Sequence, residues 1–539
     1  HARTLAKMHA LSVRRGVHER QLKRITGSWH ELRVPAAADA PANHPYASDI
    51  DLWGPGSLLQ RIDVTQTREG ELQLRAALSD RAEPTEIRAR QAAVEELFEL
   101  GQLREELETL GLLHQQRDEK IDHRPFMKLF GRPLVFQARS WLLPTMWSMV
   151  AVTWTLVVLA SVDLAPSSLV WLCALVQAAL LWSLREPVHA SLNLVTARLG
   201  FAKAYEGLFQ LIERQTFRSP ALIALQRELK PEAADVPSAS GQIARLTRYE
   251  SFAQLRTQGP LYVVLNLLTL WDLFCLERIE SFLRAAGPEC ERWFAAVGKL
   301  ELLASLATLR HVDPRTSYPT LRAEGGALTA RALAHPLLAA ETRVANDLEI
   351  LGPGHVLIVT GSNMAGKSTL LRALGLNVAL ALAGGPVCAE QLTLPLVRLR
   401  ASMRIDDSLQ RGASYFHAEL SRLRTVVEEL AHGPPVLFLL DELLRGTNAR
   451  ARHQGAHAVI LHLLSRGAMG VVATHDIALS ELAQELPDQA RNVHFTDVFE
   501  GGEMLFDYKL REGVVKTSNA LRLLKLAGID VEVDDALTG

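Results

Sequence analysis

The stretch Gly361-Ser362-Asn363-Met364-Ala365-Gly366-Lys367-Ser368 restricts what the C-terminal part of this chain can fold into more than any other feature. It fits G-x-x-x-x-G-K-[ST], a loop that works only between a buried strand and a helix N-terminus. Both flanks are right. The apolar run 355–360 precedes the loop, and a helical pattern over 367–382 follows it. Glycines let successive N–H groups turn inward around phosphate oxygens, and the helix N-terminus adds partial positive charge. On this pattern the whole loop, continued by Thr369, cradles the phosphates of ATP. Lys367 neutralises the β- and γ-phosphates, and the Ser368 hydroxyl binds Mg²⁺.

Two further apolar runs end in polar residues. Residues 436–440 lead into Asp441 and Glu442, and residues 470–474 lead into His475. Buried parallel strands carry their functional groups at their C-terminal tips, where open α/β sheets bind ligands. Asp441 is therefore expected to hold Mg²⁺ through water, and Glu442 to polarise the attacking water as general base. His475 is expected near the γ-phosphate. From about residue 320 short apolar runs alternate with helical stretches. This predicts a parallel sheet with helices on both faces.

The segments TGSNMAGKSTLLRALGLNVALALAGGPVCAE, LLDELLRGTN and ATHDIALSEL resemble the ATPase domain of the MutS family of DNA mismatch-repair proteins. Residues 411–420, RGASYFHAEL, are similar to the segment between that family's two nucleotide motifs. Its serine reaches the partner's ATP, which implies that Ser414 acts across a homodimer. Asn346-Asp347 resembles the segment entering the nucleotide pocket, which adds Asn346 to the ATP contacts. The tail YKLREGVVKTSNALRLLKLAGID resembles the family's dimer-locking helices. Upstream, LWGPGSLLQRIDVTQTREGELQLRAAL and EIRARQAAVEEL resemble the start of its helical core domain. There are departures. Ala365 replaces a family glycine, Ser362 stands where the family has proline, and Arg343 falls where an aromatic residue often stacks on adenine. Residues 1–60 hold no Phe, and the loop near 231–241 is short. The resemblance therefore leaves no room for the family's mismatch-reading domain, with its Phe-x-Glu wedge, or for its DNA clamp.

The middle of the chain follows another rule. Residues 141–162 contain no charged side chain over 22 positions, and after Asp163 residues 167–184 are again free of charge. A helix needs about 20 apolar residues to cross the hydrocarbon of a bilayer. Arg132 and Arg139 precede the pair, Arg185 follows it, and Trp141, Trp147, Trp171 and Trp182 are placed as interfacial anchors. The expectation is a membrane hairpin with both ends in the cytoplasm; the alternative is a helical pair buried in a soluble core or dimer contact. A shorter apolar run, 261–276, holds Asn266 and Asp272 and reads as a core helix. At the N-terminus, eight basic residues within 1–33 face only Glu19 and Glu31. They predict a helix with either a solvated face or contacts to DNA phosphates or anionic lipid.

With a net charge of −2, any nucleic-acid surface must be local. Cys173, Cys275, Cys290 and Cys388 form no Cys-x-x-Cys pair, which fits a reduced, cytosol-facing chain without structural zinc. The expected fold is multidomain. A basic N-terminal helix and linker (1–48) precede an all-α core and lever domain (49–310), interrupted by the hairpin 141–184. An α/β P-loop ATPase of the ABC-like type follows (311–539). The expected function is a MutS-like, DNA-binding ATPase of repair or recombination type. It would hydrolyse ATP with Mg²⁺ at composite sites of a homodimer, tethered to the cytoplasmic face of the inner membrane. Its rivals are a membrane-linked mechanochemical ATPase without a DNA role, and a soluble cytoplasmic protein whose hairpin is a dimer contact.

Overall fold

The computed structural model describes residues 2–35, 44–115, 119–131, 133–232, 237–257, 259–322, 325–362, 365–403, 415–431, 433–444, 447–500 and 503–515. The chain forms two compact units that interleave in sequence. One comprises His1–Val17, Val64–Gln73 and Leu100–Leu302; the other His18–Asp63, Leu74–Glu99 and Leu303–Gly539.

Among its described residues the first unit consists of helices joined by turns and loops, with single bridge residues and no strand. Its core is aromatic: Phe126, Tyr205, Phe209 and Phe294 are all fully buried. The Tyr205 and Phe294 rings meet edge-on at 4.6 Å, and Phe201 meets Tyr205 at 5.6 Å. Such pairs add about 0.5–1.5 kcal/mol each beyond area burial. The helix Ala202–Arg214 turns Ala204, Tyr205, Leu208, Phe209, Leu211 and Ile212 inward at helical spacing. The long helix Trp271–Val312 brings Phe294 to the same cluster and carries Glu301, which is fully buried. Glu301 accepts the N–H of Gln66 at 2.9 Å and that of Thr67 at 3.3 Å, and the Thr67 hydroxyl donates to it as well. These bonds satisfy donors just before the helix Arg68–Ser79, where a helix start leaves N–H groups without intrahelical partners.

The two charge-free runs form the helices Leu142–Ser161 and Ser167–Arg198, joined at Asp163, whose φ of +57° turns the chain. Both are long and apolar enough to cross a membrane, and only 17% of each apolar window is buried within the chain. The helices meet through Thr153 and Gln177: the amide of Gln177 donates to the Thr153 hydroxyl at 2.8 Å. Trp147, Trp154, Trp171 and Trp182 lie on the exposed surface. The reading of 261–276 as one core helix is corrected. Leu270 adopts a left-handed φ of +51° and ends the helix Pro260–Thr269, and Trp271 starts the next. Val263 and Val264 are exposed. The break has a polar cause. Asn266 accepts the backbone N–H of Asp272 at 3.0 Å, and Tyr262 donates its hydroxyl to the Asp272 carboxylate.

The second unit contains twelve strands among its described residues. These are β1 Thr320–Arg322, β2 Leu328–Leu333, β3 Asn346–Ile350, β4 Val356–Thr360, β5 Gln391–Pro395, β6 Arg398–Ser402, β7 Val436–Asp441, β8 Met469–Ala473, β9 Ala490–His494, β10 Asp497–Glu500, β11 Glu503–Phe506 and β12 Arg511–Glu512. The main sheet runs β12-β9-β4-β8-β7-β6, with every pair from β9 to β6 parallel and β12 antiparallel at the edge. Strands β4, β7 and β8 are buried at every position, as expected when helices cover both faces. The helix Lys367–Ala383 is apolar all round and buried along nearly its whole length. A smaller sheet, β1-β5-β2-β3, and the hairpin β10-β11 complete the unit. Residues from the N-terminal region belong to it too. Tyr46, Ile50, Leu52, Leu58 and Leu59 are buried, and the Tyr46 hydroxyl donates to the Ser79 carbonyl at 2.6 Å.

Candidate functional site

The sheet order decides where the site lies. β8 sits between β4 and β7, and Ala473 pairs with Val359 on one side and Asp441 on the other. The three polar strand tips therefore open side by side. From β4 the chain turns at Gly361, whose φ is +137°. A Cβ there would lie 2.7 Å from the Phe495 carbonyl oxygen, so a side chain cannot pass. Gly366, at φ +110°, forms the N-cap of the helix Lys367–Ala383. Asn363 and Met364 lie outside the described residues, as does Ser414.

Lys367 is only 2% exposed. Its ammonium arches back over the loop and donates to the carbonyls of Gly361 at 2.5 Å and Ser362 at 3.0 Å. That posture puts a buried cation within the loop. Ser368, one residue on, donates its hydroxyl to Asp441 Oδ2 at 2.5 Å. The tips of the loop helix and of β7 thus bring two hard oxygen donors together, a set suited to Mg²⁺, which takes one or two protein oxygens and keeps several waters. Ala365 is buried behind the loop, and Ser362 donates to Asp497 Oδ1 at 2.8 Å, tying the loop to the start of β10.

Glu442 follows Asp441 with a left-handed φ of +52°, strained for a non-glycine residue. Its N–H donates to the Ala473 carbonyl at 2.9 Å, continuing the ladder past the end of β7. Its carboxylate lies 3.2 Å from His475 Nδ1, so the expected base and the expected sensor are direct neighbours. Beside them is a cavity of about 10 Å³ lined by Arg452, Thr474, His475 and Asp476, close to the room one water needs. The next turn is also held: Glu419 accepts the N–H of Leu444, itself at φ +60°, at 2.6 Å.

Asn346 clamps a different segment. Its amide donates to the Tyr508 carbonyl at 3.0 Å and its oxygen accepts the Leu510 N–H at 2.8 Å. Tyr508 is 45% exposed, and a Cβ on Gly366 would come 3.2 Å from its ring. The Tyr508 ring therefore stands against the glycine turn of the loop. Arg343 is committed elsewhere: its guanidinium pairs with Asp313, with both side chains buried.

Residues 357–537 match the family model for MutS domain V. The match places the MutS-type ATPase domain in residues 357–537 and supports kinship with the MutS family. The matched region covers the loop, β7 and β8 tips and the Tyr508 segment, and MutS domain V is the family's ATPase domain. Three contributors to this MutS-type site escaped the sequence reading. Tyr508 and Asp497 are distant in sequence from the loop, and nothing in their spacing marks them. Asp49 is the third. It accepts the Met403 N–H at 3.0 Å and pairs with Arg422 at 3.2 Å, holding both ends of the stretch that contains Ser414. Only the family likeness of the surrounding tail carried any signal for Tyr508.

Proposed function

We propose that this protein hydrolyses ATP at the site formed by Lys367, Ser368, Asp441, Glu442 and His475. The observation that carries the reading is the Ser368–Asp441 contact at 2.5 Å beside the Lys367 ammonium. On ATP binding the ammonium exchanges the two loop carbonyls for β- and γ-phosphate oxygens. The adenine stacks on Tyr508, since Arg343 is held by Asp313. Mg²⁺, held by Ser368 and through water by Asp441, would neutralise charge that develops on the phosphates. Glu442 accepts a proton from the water in the adjoining cavity and directs its lone pair toward the γ-phosphorus. His475 orients the Glu442 carboxylate. Ser414 reaches the ATP of a second copy, so closing and opening of a homodimer follow binding and hydrolysis.

The substrate the ATPase serves is DNA on this reading, in keeping with a family whose ATPases generally act on DNA. The apolar helices Leu142–Ser161 and Ser167–Arg198 tether the chain at the cytoplasmic face of the membrane. The test is steady-state ATPase rate in nanodiscs, with homoduplex, mismatched, branched and single-stranded DNA at one stated low salt and Glu442→Gln as blank. A rate that responds to DNA supports the reading, and the most effective DNA names the target. A rate indifferent to every DNA moves the assignment to a membrane-linked mechanochemical ATPase. The exposed apolar surface of the hairpin is common to both readings, so the response of the rate to DNA decides between them.

A further inference from the structure

The helix Ser167–Arg198 does more than extend through its charge-free portion. Past Arg185 it continues to Arg198 and lines a cavity of about 230 Å³ through Ala190, Leu194 and Val195. The facing wall is the long helix Trp271–Val312, which presents Leu276, Ile279 and Leu283 on one side. The lining contains one acid, Glu280. Its two oxygens accept the N–H groups of Val135 at 2.7 Å and Phe136 at 2.9 Å, so each oxygen already has a backbone partner.

Water held in a protein cavity needs two to four polar partners. Among the described residues, Ser191 is the only other polar side chain in the wall. An aliphatic cavity of this size takes an apolar guest in preference to water. Water occupies about 30 Å³ and a methylene a similar volume, so the space accommodates roughly seven methylenes.

The position along the helix identifies the guest. The Arg185 guanidinium lies 3.8 Å from the Trp182 ring centroid, a pairing suited to the edge of a bilayer. Ala190 lies five residues further, about 7.5 Å along the axis, which is headgroup depth. A lipid beside the helix is therefore within one chain's reach of the cavity. We propose that this cavity binds an acyl chain of a membrane phospholipid, drawn out of the leaflet next to the second apolar helix. The proposal rests on the membrane reading of residues 141–184.

The test uses the full chain in nanodiscs of phosphatidylethanolamine and phosphatidylglycerol. A trace of phosphatidylcholine carries a diazirine at the end of one acyl chain. After photolysis, peptide mass spectrometry maps the adducts. A chain lying in the bilayer leaves its label on the membrane helices; a chain in the cavity brings it to Leu194–Val195 and Leu276–Ile279. The expected result is adducts at both places, with the cavity adducts lost in Leu194→Trp and in Leu276→Phe while those on 142–184 persist. The two variants fill the space from opposite walls, so one that fails to fold leaves the other informative. Adducts on 142–184 without cavity adducts overturn the proposal and leave the membrane reading standing. Cavity adducts undiminished in the filled variants overturn it as well. Absence of adducts everywhere overturns the membrane reading, and the proposal with it.

Discussion

Glu301 makes a testable claim about how the helical unit responds to pH. It is fully buried, and burial pushes its carboxyl up from 4.5 to about 7, against the pull of the Thr67 and Gln66 hydrogen bonds and of Lys120. The sign follows from linkage. Below about pH 4.5 the group is protonated in both folded and unfolded chains, and it costs nothing. Between 4.5 and 7 the folded state keeps a proton that the unfolded state has released, so stability falls as pH rises. Above 7 the buried carboxylate is charged, and the full difference is lost. At about 1.4 kcal/mol per unit, the interval from 4.5 to about 7 amounts to roughly 3 kcal/mol. Glu301→Gln keeps an oxygen to accept the Gln66 and Thr67 N–H groups and removes the ionisation. Hydrogen exchange of residues 64–73, read by mass spectrometry and corrected for intrinsic rates, reports opening of this segment without requiring the chain to unfold as one unit. The expected result is that wild-type protection weakens by up to about 3 kcal/mol between pH 5 and 8 and that the Gln variant flattens this slope. An equal slope in both proteins would refute the claim that Glu301 is the titrating group.

The remaining predictions concern the ATP site. Glu442→Gln should bind fluorescent ATP analogues normally while turnover falls roughly 10²–10⁴-fold, the usual worth of a general base; single-turnover hydrolysis near the wild-type rate would remove Glu442 from that role. Lys367→Ala should weaken ATP binding by well over tenfold in equilibrium titration, because a buried cation is withdrawn from the phosphates; unchanged affinity would contradict the loop assignment. Tyr508→Ala should raise KM for ATP about 5–150-fold, as expected for loss of 1–3 kcal/mol of base stacking, and leave kcat nearly unchanged. If KM holds and kcat drops instead, the ring supports the loop and does not touch the base. Phe294→Ala should destabilise the helical unit by about 3–5 kcal/mol in urea titration, with the ATPase rate measured below the transition as control.

How much of this was legible depended on whether a residue's role is local. The loop 361–368 was readable because its chemistry needs a strand before it and a helix after it, and both are written in the adjacent thirty or so residues. Asp441, Glu442 and His475 were readable for the same reason, each following a run of buried strand. The convergence of their tips was implied by parallel pairing, and the order β4-β8-β7 supplies it. Asp49 was not legible: it sits in sequence beside an Ala/Pro linker, and its partners Met403 and Arg422 lie more than 350 residues away. Tyr508 depends on a left-handed φ of +54° and on the Asn346 clamp, neither of which composition or periodicity encodes. The break at Leu270 was missed because hydrophobic count overrode the polar trio Tyr262, Asn266 and Asp272, which was visible in the run all along.

The hairpin bears on the choice between a tether and a soluble dimer contact. At 100° per residue, the exposed Trp147, Trp154, Val158 and Val162, with Val152, cover about half the circumference of the first helix. On the second, Leu169, Trp171, Leu172, Leu175 and Trp182 cover a similar arc. A partner helix shields a stripe roughly 100° wide. One copy of the same hairpin, applied through one face, would therefore leave a large part of each arc in water, and extended apolar patches of that kind are rare on soluble chains. A bilayer covers both arcs at once and asks only that polar groups between the helices be satisfied internally. The Gln177 amide nitrogen meets that demand at mid-span by donating to the Thr153 hydroxyl, while its carbonyl oxygen has no partner among the described residues, so the preference for the tether rests on the two exposed arcs.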